Sequence, residues 1–135
     1  VGTVAAHVAS LRPVLTVGYR RTTLVLDDRW DRVTVDEAAT WCGEEGRPVL
    51  LDGLTLLETK TPGPPSVVDR ALWRAGHRPV PISKYCTGLA ALDGDLPANR
   101  WHRVLRRDLL PNLVEVGGAG RTPAPTGART IGSEP

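Results

Sequence analysis

The chain has no methionine and no phenylalanine, and it holds only two lysines against fifteen arginines, two isoleucines and two asparagines. Residues with AT-rich codons are scarce throughout, which points to GC-rich coding DNA in which arginine tends to replace lysine. A lysine kept in that background is informative, because ammonium and guanidinium differ in shape, hydration and hydrogen-bonding geometry. The two that remain are Lys60 and Lys84. A start at Val1 without methionine implies a fragment or an alternative start codon. Cysteine is equally sparse, and Cys42 and Cys86 make neither a disulfide framework nor a CxxC zinc pattern. No apolar run approaches the ~18–20 residues that a membrane helix needs. Residues 1–11 lack the basic n-region and long apolar stretch of a secretory signal. Charge excess is missing too: 17 basic against 15 acidic residues leave a formal net charge of +2, so bulk charge does not announce a nucleic-acid binder. What these absences leave is a soluble, cytoplasmic protein of 135 residues, ordinary in its 41% apolar and 24% charged content and of single-domain length.

The patterning that is present alternates between strand and helix signals. Val4 to Leu11 reads as a short helix stopped by Pro13. Val14 to Leu26 is rich in β-branched residues and reads as a long strand, followed by a turn at Asp27 to Asp31 and a strictly alternating strand from Arg32 to Asp36. Those two strands are expected to form a hairpin. A second hairpin is expected from Val49–Leu51 and Leu54–Lys60 around the Asp52-Gly53 dipeptide, a favourable two-residue turn signal. After the Pro/Gly segment Thr61–Pro65, Ser66 caps a helix running to Arg74, with Gly76 ending it. Ser83-Lys84-Tyr85 opens another helix through Leu92, and Asn99 is placed to cap a third carrying Trp101, Val104, Leu105 and Leu109. From Gly117 onward the sequence is Gly/Pro/Thr-rich and nearly free of large apolar groups, so residues 111–135 are expected to be a disordered tail behind a folded unit at 1–110.

Side chains two apart on a strand share a face. Tyr19, Arg21 and Thr23 therefore point together, as do Arg32, Thr34 and Asp36, and likewise Glu58 and Lys60. Polar faces on exposed strands are common, but three in succession carrying Arg, Arg and Glu/Lys suggest a shared lining. Turned inward, such a lining is expected to be self-repelling when empty and stabilised by a polyanion with phosphate-like oxygens. A carboxylate among cations is the natural ligand of a hard divalent ion that bridges to phosphates.

The succession Tyr19-Arg20-Arg21, Arg32-Val33-Thr34-Val35-Asp36, Leu57-Glu58-Thr59-Lys60 and Ser83-Lys84-Tyr85 resembles the C-terminal half of a VTC domain, over about Pro13 to Gly88. That is the vacuolar transporter chaperone family of polyphosphate polymerases, within the triphosphate-tunnel (CYTH-like) enzymes. The resemblance implies an α+β fold: an antiparallel β-barrel of the tunnel type, here an incomplete half-barrel with flanking helices. It also implies a phosphotransferase that moves phosphate from ATP to polyphosphate. Arg21, Arg32 and Lys84 would be catalytic, and together with Lys60 they would bind substrate. Glu58 would hold a divalent metal, Mn or Mg.

The resemblance leaves out the family's earlier strands, and four candidate strands cannot close a barrel that needs about eight. The expected chain is therefore half a domain, completed by an N-terminal half in cis or in trans. Two other functions fit the same residues: a tunnel-fold triphosphatase with water as acceptor, and a non-catalytic polyanion-binding module or inactive fragment. No nucleic-acid partner and no membrane segment are expected. His7, His77 and His102 lack ligand-like spacing, and Cys42 and Cys86 read as small apolar residues. The tryptophans read as core residues, with Trp30 an alternative rim residue of the tunnel. Arg103, Arg106 and Arg107 are either a solvated helix face or a polyanion-docking patch.

Overall fold

The computed structural model describes residues 8, 10–26, 31–44, 46–117 and 129–133. Its centre is strand β2 (Asp31–Gly43), whose thirteen residues are long enough to serve three neighbours. On one side it pairs antiparallel with β1 (Leu15–Leu26), with Arg21 opposite Asp36 and Thr23 opposite Thr34. On the other side it pairs antiparallel with β3 (Val49–Leu51) near Trp41 and with β4 (Leu54–Lys60) near Thr34. The short strands β5 (Pro79–Val80), β6 (Leu113–Glu115) and β7 (Arg129–Ser133) complete a seven-stranded sheet in which β7 runs parallel to both β4 and β5. The sheet is open: it is not closed into a barrel, and among the described residues β1 pairs along one edge only.

One irregularity decides what the sheet presents. Between Gly18 and Arg20 the partners on β2 jump from Thr40 to Glu37, so β2 carries one extra residue opposite Tyr19. Ala38, within this bulge, takes a left-handed φ of 51°. A residue added to one strand reverses the alternation beyond it. Even-numbered Arg32, Thr34 and Asp36 therefore share a face with odd-numbered Ala39 and Trp41. The same face continues through Leu54, Leu56, Glu58 and Lys60 of β4 and through Leu15, Val17 and Arg21 of β1.

Two helices were legible from their caps. Helix α1 (Val67–Arg74) is opened by a capping box in which the Ser66 hydroxyl accepts from Asp69 N–H while the Asp69 carboxylate accepts from Ser66 N–H. Thr59 of β4 donates to the same carboxylate at 2.5 Å, tying the helix start to the sheet. Helix α2 (Lys84–Leu92) is capped by Ser83, whose hydroxyl accepts from Cys86 N–H. Residues 99–112 form a third helical run, α-helical only at His102–Val104, widening to π pitch at Leu105–Leu109 and tightening to 3₁₀ at both ends. Pro111 cannot continue an α-helix, and the Asn112 amide donates to the Asp108 carbonyl at 2.6 Å to close the run. Ala39, Trp41, Leu51, Leu54 and Leu56 of the sheet pack against Ala90 of α2 and Val104, Leu105 and Leu109 of this run to form the core. None of the described helices is long and apolar enough to cross a membrane.

Three expectations change. Asp52-Gly53 does not close a hairpin: β3 and β4 run in the same direction, end to end along β2. A turn makes a hairpin only if its flanks pair with each other, and here the long β2 takes both flanks; Gly53 at φ 67° forms the kink between them. The sheet has seven strands rather than four. Within residues 111–135, expected to be disordered, 113–115 and 129–133 are strands, because β3 and β4 offer edges whose backbone groups need partners. The turn at 27–30 with Trp30, most of the 4–11 helix with His7, and residues 118–128 lie outside the described residues.

Candidate functional site

The charged residues gather where β1, β2 and β4 meet the start of α2. Asp36 is 1% exposed in its side chain, and its carboxylate is gripped in a two-point fork by Arg21, Nε to Oδ1 at 2.6 Å and Nη2 to Oδ2 at 2.8 Å. Lys84 reaches in from the first turn of α2, its Nζ lying 3.0 Å from Asp36 Oδ2 and 3.4 Å from Glu58 Oε2. Glu58 Oε1 is held in turn by Lys60 Nζ at 2.9 Å. Arg21, Asp36, Lys84, Glu58 and Lys60 thus form one unbroken chain of ion pairs. Tyr19 flanks it, with the Arg21 guanidinium 4.7 Å and the Lys84 ammonium 5.9 Å from its ring centre.

Lys84 is placed by packing as well as by charge. The indole N–H of Trp41, a fully buried residue, donates to the Lys84 carbonyl at 2.8 Å. The helix can come this close because residue 88 is glycine: a Cβ there would lie 2.1 Å from the Trp41 ring. The core therefore fixes the backbone from which the lysine projects.

The charge balance follows from these distances. Burial opposes ionisation of Asp36, but hydrogen bonds from Arg21 and Lys84 outweigh it and hold its pKa below the ordinary carboxylate value. Burial also opposes ionisation of Glu58, and hydrogen bonding from Lys60 with the charge of Lys84 again brings the pKa down. The Arg21 guanidinium is made still more basic, chiefly by its hydrogen bond to Asp36. Beside these groups the Thr34 hydroxyl is buried and unpartnered, on the register row that joins Thr23 to Glu58.

Four of the five expected site residues, Arg21, Glu58, Lys60 and Lys84, are therefore brought together. Arg32 is not part of the chain; it is exposed at the register position opposite Lys60 and makes no ion pair among the described residues. The expected self-repulsion of the lining is largely offset, because Asp36 and Glu58 pair with its three cations and leave one net positive charge. Asp36 and Tyr19 join the site beyond the expected residues, Asp36 on the face that the Arg-x-Thr-x-Asp alternation assigns to it. Among the described residues no three His, Cys, Asp or Glu side chains cluster as a metal cage.

Comparison with known families decides what this arrangement belongs to. The model of the VTC domain matches residues 4–93, about two thirds of the chain and all of the ion-pair network. The chain belongs to the VTC family. Neither a curated protein nor a solved structure matches it. Within this VTC domain, a polyphosphate polymerase-family domain, the network sits on strand β1, strand β2, strand β4 and the first residue of α2, the four places that carry the family-like motifs.

Proposed function

We propose that this VTC domain contributes the phosphate-holding wall of a polyphosphate polymerase, passing phosphate from a nucleoside triphosphate to a polyphosphate end. The observation that carries this reading is the continuous Arg21–Asp36–Lys84–Glu58–Lys60 chain on one sheet face. Phosphoryl transfer asks little covalent chemistry of a protein: it needs in-line placement of the two phosphates and neutralisation of spreading charge. Arg21 and Arg32 offer guanidinium forks to phosphate oxygens, and Lys60 and Lys84 offer mobile point charges. The carboxylates hold these cations in position before substrate arrives, and an incoming oligophosphate competes with Asp36 and Glu58 for them.

The donor set at Glu58 suits a hard divalent cation of the Mg or Mn type, which takes one or two carboxylates and completes its shell with water and substrate phosphates. Glu58, with the unpartnered Thr34 hydroxyl on the same row, is where it would be held. When bound, such an ion would neutralise phosphate charge at the transferring group.

A non-catalytic polyanion-binding module is the second reading, favoured by the openness of the sheet along β1. A triphosphatase differs from the polymerase only in its acceptor. Product analysis with ATP and Mn²⁺, on the chain alone and joined to an upstream half-domain, separates the three. Chain growth supports the polymerase, release of phosphate without growth supports the triphosphatase, and tripolyphosphate binding without turnover in either form supports the module. Glu58→Gln should abolish turnover while leaving part of the tripolyphosphate affinity; unchanged turnover would remove Glu58 from the site.

A further inference from the structure

A second cationic site lies away from the network. A cavity of about 820 Å³ opens between the 99–112 helical run and the segment after α1, and none of Arg21, Asp36, Glu58, Lys60 or Lys84 lines it. Arg100, Arg103 and Arg107 face it from the helical run and Arg78 from the opposite wall, with Asp108 as the carboxylate among its described lining residues. Arg107 and Asp108 satisfy each other through three hydrogen bonds of 2.7–3.0 Å. Arg78 and Arg103 make no ion pair among the described residues, and Arg100 lies against the Trp101 ring at 6.0 Å. The cavity thus gathers three net positive charges in a chain whose formal net charge is only +2.

Arg100, Arg103 and Arg107 come in turn from the 3₁₀, α and π segments of the run, and Arg106 is absent from the lining. Val104, between them, is buried in the core and anchors the run. Pro79 and Pro81 stiffen the opposite wall around Arg78. Among the described residues Arg78, Arg100 and Arg103 are held there without an ion pair, because Asp108, the carboxylate in the lining, is taken by Arg107.

We infer that this cavity binds a condensed phosphate chain of at least three phosphates. Guanidinium forks match phosphate oxygens in geometry as well as charge. Arg100 and Arg103 line the cavity from the helical run and Arg78 from the segment after α1, a spread of free forks that suits a linear oligoanion better than a single phosphate. Free polyphosphate and the triphosphate of a nucleotide share this chemistry and are distinguished by titration with tripolyphosphate and ATP. A single-stranded nucleic acid fits less well, because successive bases stack on aromatic platforms and the described lining residues hold no Phe, Tyr or Trp, with His77 their one aromatic ring.

The test is calorimetric titration of the full chain and two variants, Arg100→Ala/Arg103→Ala and Lys84→Ala, with tripolyphosphate, ATP, inorganic phosphate and a short oligodeoxynucleotide. The double variant should weaken tripolyphosphate binding by about 10- to 100-fold, as expected for lost charged hydrogen bonds. The same loss should be seen when the double change is made on top of Lys84→Ala. Both arginines are exposed, so thermal unfolding should match the parent, and Arg103→Lys, which keeps the charge but not the fork, should lose less than Arg103→Ala. ATP binding as tightly as tripolyphosphate, with the same dependence on Arg100 and Arg103, identifies the nucleotide source; tripolyphosphate alone identifies the free polymer. Tripolyphosphate titrations that superimpose in the presence and absence of Arg100 and Arg103 overturn the proposal, and leave the network reading to stand or fall with Lys84→Ala. Equal affinity for inorganic phosphate, or tighter binding of the oligonucleotide, also overturns it.

Discussion

Asp36 and Trp41 stand five residues apart on one strand, both face the same side of the sheet, and both are essentially inaccessible to water. The side chains that bond to Asp36 are charged, Arg21 and Lys84; Trp41 belongs to the apolar core and bonds to a backbone carbonyl. The two halves of this face are built by opposite physics. The apolar half, where α2 and the 99–112 run lie over Leu51, Leu54 and Leu56, gains from removing carbon from water and holds no charge that titrates. The charged half gains little net stability, because desolvation consumes most of what its ion pairs return. The apolar half supplies the stability that permits it. Lys84 joins the two: its backbone carbonyl is gripped by Trp41 and its ammonium by Asp36 and Glu58.

The sharpest way to break this division is to give β1 the residue that β2 has in excess. One alanine inserted between Tyr19 and Arg20 lets the two strands pair without the bulge, and strict alternation along β2 then turns Ala39 and Trp41 to the opposite side of the sheet from Asp36. That exposes an indole and strips the core of its centre, a loss comparable to the ~5–15 kcal/mol stability of a whole domain. The measurement is circular dichroism with thermal melting, and the expected result is no cooperative transition. Retention of a normal melt would mean that the bulge migrates along β2.

Next in size is the apolar half alone. Trp41→Ala should cost about 3–5 kcal/mol in denaturant unfolding, the usual range for removing a buried aromatic. Gly88→Ala should cost about 1–3 kcal/mol by overpacking, because its new Cβ meets the indole at less than van der Waals distance. It should also displace Lys84 and weaken tripolyphosphate binding, although residue 88 touches no ligand. Weakened stability with unchanged binding would show that Lys84 is placed by its carboxylates and not by Trp41.

In the charged half, Asp36→Asn keeps the shape but removes the charge that Arg21 and Lys84 share. The expected destabilisation is about 1.5–3 kcal/mol, the range for charged hydrogen bonds. Acid should reproduce it without mutation. The pKa values of Asp36 and Glu58 lie below their ordinary 3.8 and 4.5, so the native state binds protons less readily than the unfolded chain. Their contribution is therefore complete above about pH 4.5 and is lost as pH falls through the depressed native values. Denaturant midpoints followed from about pH 6 down to about pH 2 should fall more steeply for the parent than for Asp36→Asn. Parallel curves would mean that the network does not titrate with folding.

Much of this was legible from the residues. The Ser66 and Ser83 caps, the β1–β2 pairing and the grouping of Arg21, Glu58, Lys60 and Lys84 follow from local chemistry and from period-two alternation. Asp36 was on the page as the end of that alternation, but a sequence does not state whether a carboxylate will meet a cation or a metal. The Asp52-Gly53 turn misled because turn residues specify a change of direction and not the strand that will pair with each flank. The arginine cavity was only half legible, since Arg103 and Arg107 are near in sequence while Arg78 reaches them through the fold alone. The bulge left one trace, the shift of inward positions from even to odd between Asp36 and Ala39, which no glycine marks.

That missing glycine gives the smallest prediction and the finest measure of the boundary between the halves. Ala38 adopts φ 51°, a left-handed conformation that costs an L-residue about 1–2 kcal/mol. Glycine removes this cost but loses about 0.5–1 kcal/mol through the greater freedom of the unfolded chain. Ala38→Gly should therefore stabilise by about 0.5 kcal/mol, whereas Ala38→Val, with a branched Cβ in the same conformation, should destabilise. Because Ala38 is exposed, neither half should register the glycine in its own terms. The near-ultraviolet signal of Trp41 and the acid dependence set by Asp36 should both be unchanged. A glycine variant that alters either signal would show that the bulge strains one half of the face to orient the other.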